Sequence, residues 1–275
     1  MNSRYHPYAA LAVILLLLSS CYKEFDAAGY APALSIEGYT GAAEIAPGNL
    51  VAYWAFNGNL VDSISKNACV NSGTSTTGGI KGSALRGADL SYALFSPGSA
   101  ITGLKAFTIT MWVNSSLNAN GIVGLVSLSN TKSFWGNLDI FFENGGNDTK
   151  AILKMHILSN TKEQWLGNYE VMNIWGKWTS IAMSYNGADT FKVYVNGVKI
   201  DTKTNAGFGP LQFTDAGQMV FGTSQFQTVP SLTSGATAQD WASYLTGGLD
   251  EVRIYNKALE EKDISALVKL EGRGK

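Results

Sequence analysis

The sequence predicts an all-β fold: a two-sheet antiparallel jelly-roll sandwich with a short C-terminal helix. Short apolar or alternating runs follow one another from residue 50 onward, and Gly- and Asn-containing turns separate them. The chain has 30 glycines among 275 residues and is 11% aromatic, a composition typical of many strands joined by turns. Helical periodicity is clear only near the C-terminus, so we expect strands elsewhere.

The first residues have the pattern of an export signal. Arg4 supplies a positive charge, and residues 9–18 form an apolar run that is too short to cross a bilayer. Residues 18–21 read LSSC and resemble a bacterial lipobox, in which the Cys is lipidated and becomes the mature N-terminus. We therefore expect a signal peptide over 1–20 and a lipid on Cys21. The alternative is a plain signal peptide with an accidental Cys.

Residues 21–48 have the composition of a tether. They are small and polar, contain Pro and Gly, and show no sustained period, so we expect a flexible linker before a folded domain over 49–275. Lys23, Glu24 and Asp26 resemble the charged signal that sends some Bacteroidetes lipoproteins to the cell surface. The sequence therefore predicts an outer-membrane lipoprotein that is exposed at the cell surface.

The strand signals can be placed in chain order. Between them, the polar segment 224–246 is predicted to be a long loop, and long ordered loops often carry function. The predicted strand segments are 50–56, 79–87, 90–96, 107–114, 121–129, 137–143, 151–158, 177–185, 191–200, 219–223 and 247–256.

Three segments make specific structural predictions. Asn196-Gly197 lies between two β-rich runs and predicts a tight hairpin. Residues 107–114 alternate, which predicts one apolar face formed by Phe107, Ile109, Met111 and Val113. Residues 258–270 predict a helix, because one stripe of that helix would carry Leu259, Ile264, Leu267 and Leu270.

Charge and composition exclude several classes of function. The net charge is −1 and only 15% of residues are charged, so there is no basic stripe that would bind nucleic acid. His6 is lost with the signal peptide, which leaves His156, in a strand pattern, as the one histidine of the mature chain. The sequence therefore predicts no His-rich metal site and gives little basis for a Ser/His triad.

Five stretches, taken in order, resemble a known family. The last of them ends a strand with DEVRIY and continues into a short helix, and it is the most specific. The five are LVAYWAFNGNLVDSISKNA (50–68), KAFTITMWVN (105–114), GKWTSIAMSYNG (176–187), FKVYVNGVKI (191–200) and GGLDEVRIYNKALEEKDISAL (247–267). Together they resemble the laminin-G-like, concanavalin A-like lectin/glucanase jelly-roll domains of bacterial surface lipoproteins. That resemblance implies two curved sheets of about six or seven strands each and a concave face that often holds carbohydrate.

The resemblance also implies a structural Ca²⁺ between the first and last strands. Strict alternation over 249–255 would place Asp250 on one face with Val252 and Ile254, where its charge needs neutralising. In the alternative interpretation, Asp250 hydrogen-bonds backbone amides of the adjoining turn. Ca²⁺ requires six to eight oxygens, and the predicted side-chain ligands are Asn57, Asn59, Asp62 and Asp250.

The stretch NLDIFFENGG raises the question of sugar hydrolysis. Laminarinase-type hydrolases share this fold, and their catalytic strand resembles Glu-x-Asp-x-(x)-Glu. Here Asn137 stands in the nucleophile's place, and an amide cannot take that role. Asp139 and Glu143 would lie about 13 Å apart along a strand, farther than either glycosidase mechanism uses. The sequence therefore predicts no catalytic residues and no enzyme.

A non-catalytic module that binds a glycan is the function we predict. Sugar rings stack on aromatic faces while amides and carboxylates bond the hydroxyls, and the predicted ligand-binding aromatics are Trp135, Trp165, Tyr169 and Trp241. Trp54, Trp112 and Trp178 lie in strong strand patterns and are predicted to be core residues. The alternative function is a structural or protein-interaction component of a surface complex.

Overall fold

In the computed structural model, which describes residues 35–275, sixteen strands form two sheets. The predicted signal peptide, Cys21 and residues 21–34 of the predicted tether lie outside the described residues. The strands are β1 (Leu50–Trp54), β2 (Val70–Ser72), β3 (Ser75–Gly78), β4 (Ser83–Gly87), β5 (Tyr92–Phe95), β6 (Phe107–Ser115), β7 (Ile122–Asn130), β8 (Leu138–Asn144), β9 (Lys150–Ser159), β10 (Lys162–Met172), β11 (Thr179–Tyr185), β12 (Thr190–Val195), β13 (Val198–Thr204), β14 (Ala216–Phe221), β15 (Ala242–Ser243) and β16 (Gly247–Tyr255).

Each sheet has eight strands, one or two more than the family resemblance implies. The first, here called sheet I, has the order β13-β12-β11-β6-β16-β4-β3, and β1 also pairs with β16. Sheet II has the order β10-β9-β8-β7-β14-β5-β2, and β15 also pairs with β7. The pairings are antiparallel apart from the short β15–β7 contact, so the predicted two-sheet antiparallel sandwich is confirmed.

The helices are short. The α-helices of the described residues are α1 (Ser99–Thr102) and α2 (Glu261–Glu271), and 3₁₀ turns occupy Ala42–Glu44, Pro47–Asn49 and Gln225–Gln227. Within residues 35–275 no helix combines the length and the apolar character that a bilayer crossing requires.

The main core lies between the two sheets. The apolar face predicted for β6 is confirmed, since Phe107, Ile109, Met111 and Val113 are all buried in this core. The hairpin at Asn196-Gly197 is also confirmed, because both residues have positive φ and directly join β12 to β13.

A second apolar cluster covers the outer face of sheet I. The stripe predicted on the C-terminal helix packs here, onto residues of β11, β12 and β16. The cluster also contains Ala42 and Ile45, each 1% exposed. The prediction of a flexible tether is therefore wrong for residues 36–48. These residues pack on α2, because the apolar side chains of Ala42 and Ile45 are buried in this cluster. The folded unit begins at Ile36.

The last strand departs from strict alternation. Glu251 has φ +49° and the pairing register of β16 with β6 shifts between Asp250 and Arg253, which marks a β-bulge. The extra residue reverses the alternation, so that Leu249, Val252 and Ile254 all enter the core. The prediction that Asp250 shares a face with Val252 and Ile254 is therefore wrong.

Candidate functional site

Three of the predicted ligand-binding tryptophans come together on the outer face of sheet II. Trp135 lies in the connection from β7 to β8, Trp165 lies on β10, and Trp241 lies in the long loop just before β15. They pack around three phenylalanines, and we call the set of six rings the aromatic cluster. Its members are Trp135, Trp165, Trp241, Phe134, Phe141 and Phe226.

Trp135 is the central ring of this cluster. It stacks on Phe141 of β8 with a centroid distance of 5.3 Å and an interplanar angle of 8°. It meets Trp165 edge to face at 5.2 Å and lies 6.4 Å from Trp241. These are the distances at which aromatic rings attract one another beyond simple burial.

The cluster is buried at its base and open at its top. Phe141 and Phe226 are 2% and 0% exposed, whereas Trp165 and Trp241 are 39% and 43% exposed. Trp135 is half-buried between them. Two indoles are therefore partly exposed on a packed aromatic base, which is an arrangement suited to stacking a ligand ring.

Buried glutamines fix the loop that carries Phe226 and Trp241. The side-chain carbonyl of Gln225 accepts a hydrogen bond from the Asn130 N–H at 2.6 Å. Its amide donates to the carbonyls of Ser133 and Phe134 at 2.8 and 2.9 Å. The long loop is thereby tied to the β7–β8 connection, so the aromatic rings on both segments are held in place.

A line of polar groups runs beside the rings. The two ring nitrogens of His156 on β9 each face a carboxylate: Nδ1 lies 3.1 Å from Asp139 Oδ2, and Nε2 lies 2.8 Å from Glu163 Oε1. Trp165 Nε1 donates to the same Glu163 oxygen at 2.9 Å. Asp139 and His156 are buried, whereas the Glu163 side chain is 49% exposed. Glu163 therefore connects the buried pair to the rim of the aromatic cluster.

The carboxylates of NLDIFFENGG have separate partners. Asn137 is buried, and its amide hydrogen-bonds Asn130 and the carbonyl of Thr214. Asp139 pairs with His156, whereas Glu143 pairs with Lys154 Nζ at 2.9 Å. In this part of sheet II the imidazole ring fills the space between Asp139 and Glu163. A glycosidase needs two carboxyl groups facing a free gap of defined width, and these pairs do not provide one.

Tyr169 does not join the other predicted ligand-binding residues. The β10–β9 register shifts between Leu166 and Tyr169, and the bulge turns Tyr169 inward against the main core. Its hydroxyl donates to the Asp201 carboxylate. Tyr169 instead lines a separate groove between the edge strands β10 and β13, together with Met172, Val195 and Ile200.

The side-chain oxygens of the four predicted calcium ligands accept backbone N–H groups. Asp62 is buried, and its two carboxylate oxygens accept backbone N–H groups of Tyr53, Ile64 and Ser65. Asn59 accepts the N–H of Val61. Both side chains thus already accept backbone hydrogen bonds.

Asn57 and Asp250 do face a common segment, the turn between β3 and β4. Asn57 Oδ1 accepts the Ser83 N–H at 2.7 Å, and Asp250 Oδ2 accepts the N–H groups of Ile80 and Lys81 at 2.9 and 3.2 Å. Burial raises the pKa of Asp250 to about 7, although the backbone N–H groups counteract it. Asp250 Oδ1 accepts the Glu251 N–H at 2.8 Å, so both oxygens of Asp250, like those of Asp62, accept backbone N–H groups, as the alternative interpretation of Asp250 expects. The calcium site stays a prediction.

Sequence reasoning missed five members of the site. His156 is predicted to be an ordinary strand residue, and Glu163, Phe134, Phe141 and Phe226 are not among the predicted site residues. Alternation gave a usable signal for two of them, because Glu163 and Trp165 are two residues apart on one face of β10 and His156 pairs directly with Trp165. No local signal marks Phe134 and Phe226, which meet only through the fold.

A protein-family model described as "Concanavalin A-like lectin/glucanases superfamily" matches residues 87–265, which is more than half of the chain. No curated protein sequence matches.

Several solved structures share this fold. One is domain 4 of AbnA, a GH43 extracellular arabinanase from Geobacillus stearothermophilus, in complex with arabinotriose; it is 21% identical, with a TM-score of 0.53, and the match covers 80% of this chain and 98% of that one. Another is the binding domain of Paraclostridial Mosquitocidal Protein 1, with 16% identity, a TM-score of 0.58, and coverage of 80% and 52%. A third is the binding domain of Botulinum neurotoxin DC with rat synaptotagmin II, with 14% identity, a TM-score of 0.58, and coverage of 82% and 52%.

This chain matches about half the length of the two toxin domains. At these identities the likeness shows a shared fold.

Proposed function

The chain belongs to the concanavalin A-like lectin/glucanase superfamily, and we propose that it is a non-catalytic module that binds a glycan on the aromatic cluster. The observation that carries the proposal is the pair of exposed indoles, Trp165 and Trp241, on the half-buried Trp135. Polar side chains at the rim, among them Glu163 and Gln239, supply partners for sugar hydroxyls.

Two further observations support this proposal. Two of the solved structures are called binding domains, and a third is a complex with arabinotriose, so the fold can hold an oligosaccharide. Within sheet II, Asp139 and Glu143 are engaged by His156 and Lys154, which favours binding over hydrolysis.

The experiment is affinity electrophoresis of the full-length chain through a panel of polysaccharides, with the eluted glycans checked for cleavage. We expect one class of glycan to retard the protein without being cleaved. Trp165→Ala and Trp241→Ala should each weaken binding about tenfold or more, equivalent to about 1.4 kcal/mol. Met172→Ala, which removes an exposed apolar side chain elsewhere on β10, is the matched control and should bind normally. Retardation that survives both tryptophan substitutions contradicts the proposed site.

A protein partner is the second candidate, and the groove between β10 and β13 favours it. Met172 and Ile200 are 55% and 42% exposed and border this groove together with Tyr169. One of the solved relatives was crystallised with a protein, rat synaptotagmin II. If no glycan retards the chain, a partner at this groove becomes the better proposal, and Met172→Ala becomes its test rather than the control.

We also propose that a lipid on Cys21 anchors the protein to the outer membrane at the cell surface. The proposal rests on the apolar run over 9–18 and the LSSC sequence that follows it. Cys21→Ser should abolish labelling with a radioactive fatty acid and release the protein from the membrane fraction. A Cys69→Ser control should still be labelled, and labelling of the Cys21→Ser variant would contradict the proposal.

A further inference from the structure

Glu163 occupies a special position at the edge of the aromatic cluster. Its Oε1 accepts two hydrogen bonds, from Trp165 Nε1 at 2.9 Å and from His156 Nε2 at 2.8 Å. Its Oε2 receives no hydrogen bond from residues 35–275, and half of the side chain is exposed. One oxygen therefore fixes the carboxylate beside the indole, and the other is free to contact a ligand.

His156 and its two carboxylates carry an excess of negative charge. Each imidazole nitrogen faces a carboxylate oxygen. An imidazole ring can carry at most one positive charge, and two carboxyl groups face it. Asp139 Oδ1 is buried and has no hydrogen-bond partner among the described residues, so no other group offsets its charge.

The nearest other charges do not reverse this balance. Lys154, which with Trp165 lines a neighbouring groove, is paired with Glu143. Asp240 is exposed and directly precedes Trp241, which adds a further carboxylate beside that indole in the sequence. The two exposed indoles are thus flanked by carboxylates.

We propose that Glu163 is a ligand-contacting and specificity-determining residue, and that the aromatic cluster takes glycans whose units are neutral or carry an amino group. Glycans with uronic acid or sulfate groups are rejected. This inference rests on the proposed glycan-binding function and defines the class of ligand for the same site.

The chemistry follows from the fixed carboxylate. A hydrogen bond from a sugar hydroxyl or ammonium group to a carboxylate is charge-assisted and stronger than one between neutral groups. Because Glu163 and Trp165 are hydrogen-bonded to one another, the polar contact and the stacking face are held in a preset relation, which limits the entropy lost on binding. A ligand carboxylate placed there would meet a like charge on a partly dehydrated surface, where repulsion is stronger than in bulk water.

The test compares one glycan with its own oxidised form. The neutral oligosaccharide that binds best is converted at C6 from primary alcohol to carboxylate, and both forms are titrated calorimetrically into the full-length chain. The variant Glu163→Gln keeps an oxygen for Trp165 but removes the charge. Glu170→Gln is the matched control, because Glu170 is an exposed carboxylate on the same strand, held by Lys150.

We expect the unaltered chain to bind the oxidised form at least about tenfold more weakly than the neutral form, a difference of about 1.4 kcal/mol. Glu163→Gln should reduce this ratio to about twofold, and Glu170→Gln should leave it unchanged. Raising the salt concentration should narrow the ratio for the unaltered chain, because salt screens exposed charges.

The opposite results overturn the inference in distinguishable ways. If the oxidised glycan binds equally well or more tightly, the inference of charge selection is wrong, but the proposed glycan-binding function stands. An unchanged ratio in Glu163→Gln assigns the selection to another group. If no glycan of any class binds, the proposed function fails and this inference fails with it.

Discussion

At the scale of single residues, Arg253 joins three parts of the fold. Its guanidinium donates to Glu251 at 2.6 Å and to Glu271 at the end of α2 at 2.8 Å. It also lies 3.7 Å above the ring of Tyr53 on β1. This buried network explains why the DEVRIY sequence is followed by a short helix, since the helix supplies one of the two carboxylates.

Arg253→Leu should be strongly destabilising, because it leaves the buried Glu251 and Glu271 without a counter-charge. We expect a loss of about 3–5 kcal/mol in the free energy of unfolding, measured by urea denaturation. Arg86→Leu, at an exposed arginine of β4, is the control and should change stability by about half a kcal/mol or less. Similar values for the two variants would mean that the network contributes little.

The raised pKa of Asp250 leads to a second prediction at the scale of single residues. Because burial raises its pKa from 3.8 to about 7, the folded state favours the protonated form. Asp250 therefore favours folding at low pH and opposes it increasingly as the pH rises from about 4 to 7. In EDTA, the melting temperature of the unaltered chain should fall across this range more than that of Asp250→Asn.

Calcium near Asn57 and Asp250 would offset that loss by binding the charged carboxylate. Millimolar Ca²⁺ at neutral pH should then raise the melting temperature of the unaltered chain but not of Asp250→Asn. No rise in the unaltered chain would contradict the calcium prediction.

A residue of the site could be predicted from the sequence when its own sequence neighbours mark it. Trp135, Trp165 and Trp241 could be selected because each lies beside turn residues or in a polar loop. Tyr169 was selected on the same ground, but a bulge in β10 turns it inward. His156 and Glu163 acquire their roles from each other across two strands, and a single strand pattern does not show such a pairing.

At the scale of elements, regular patterns predicted well and irregular ones did not. The apolar face of β6, the Asn196-Gly197 hairpin and the apolar stripe of α2 follow directly from periodicity. The bulge at Glu251 breaks strict alternation and had no sequence signal such as a glycine. The defined conformation of the loop 224–246 could not be predicted either, because it depends on hydrogen bonds to residues about 90 positions away in the sequence.

That loop should depend on Gln225, whose side chain makes three hydrogen bonds to the β7–β8 connection. Gln225→Ala leaves buried backbone groups without hydrogen bonds. We expect each such group to lower the free energy of unfolding by about 1–3 kcal/mol. Hydrogen exchange should increase in the loop and around Trp135, and glycan affinity should fall. Gln218→Ala removes a partly exposed glutamine with one bond of 3.3 Å and is the control. Unchanged exchange in Gln225→Ala would mean that the loop is held by its aromatic contacts alone.

At the scale of the whole molecule, the sandwich has two outer faces with different roles. The outer face of sheet I is covered by α2 and by residues 36–48, whereas the outer face of sheet II carries the aromatic cluster. Ile36, where the folded unit begins, therefore packs on the side of sheet I, away from the exposed indoles.

Ile45→Ala tests this division of roles. Ile45 is 1% exposed and packs with Leu259, Ile264 and Leu267, so its truncation should cost about 2–5 kcal/mol in urea unfolding. Ile64→Ala, at an isoleucine that is 45% exposed, is the matched control and should cost much less. Glycan affinity should be unchanged in Ile45→Ala under conditions where it remains folded, because the substitution lies behind sheet I and the indoles lie beyond sheet II. A stability equal to that of the unaltered chain would show that residues 36–48 act as a tether after all, and a loss of affinity in the folded variant would show that the two faces are coupled through the core.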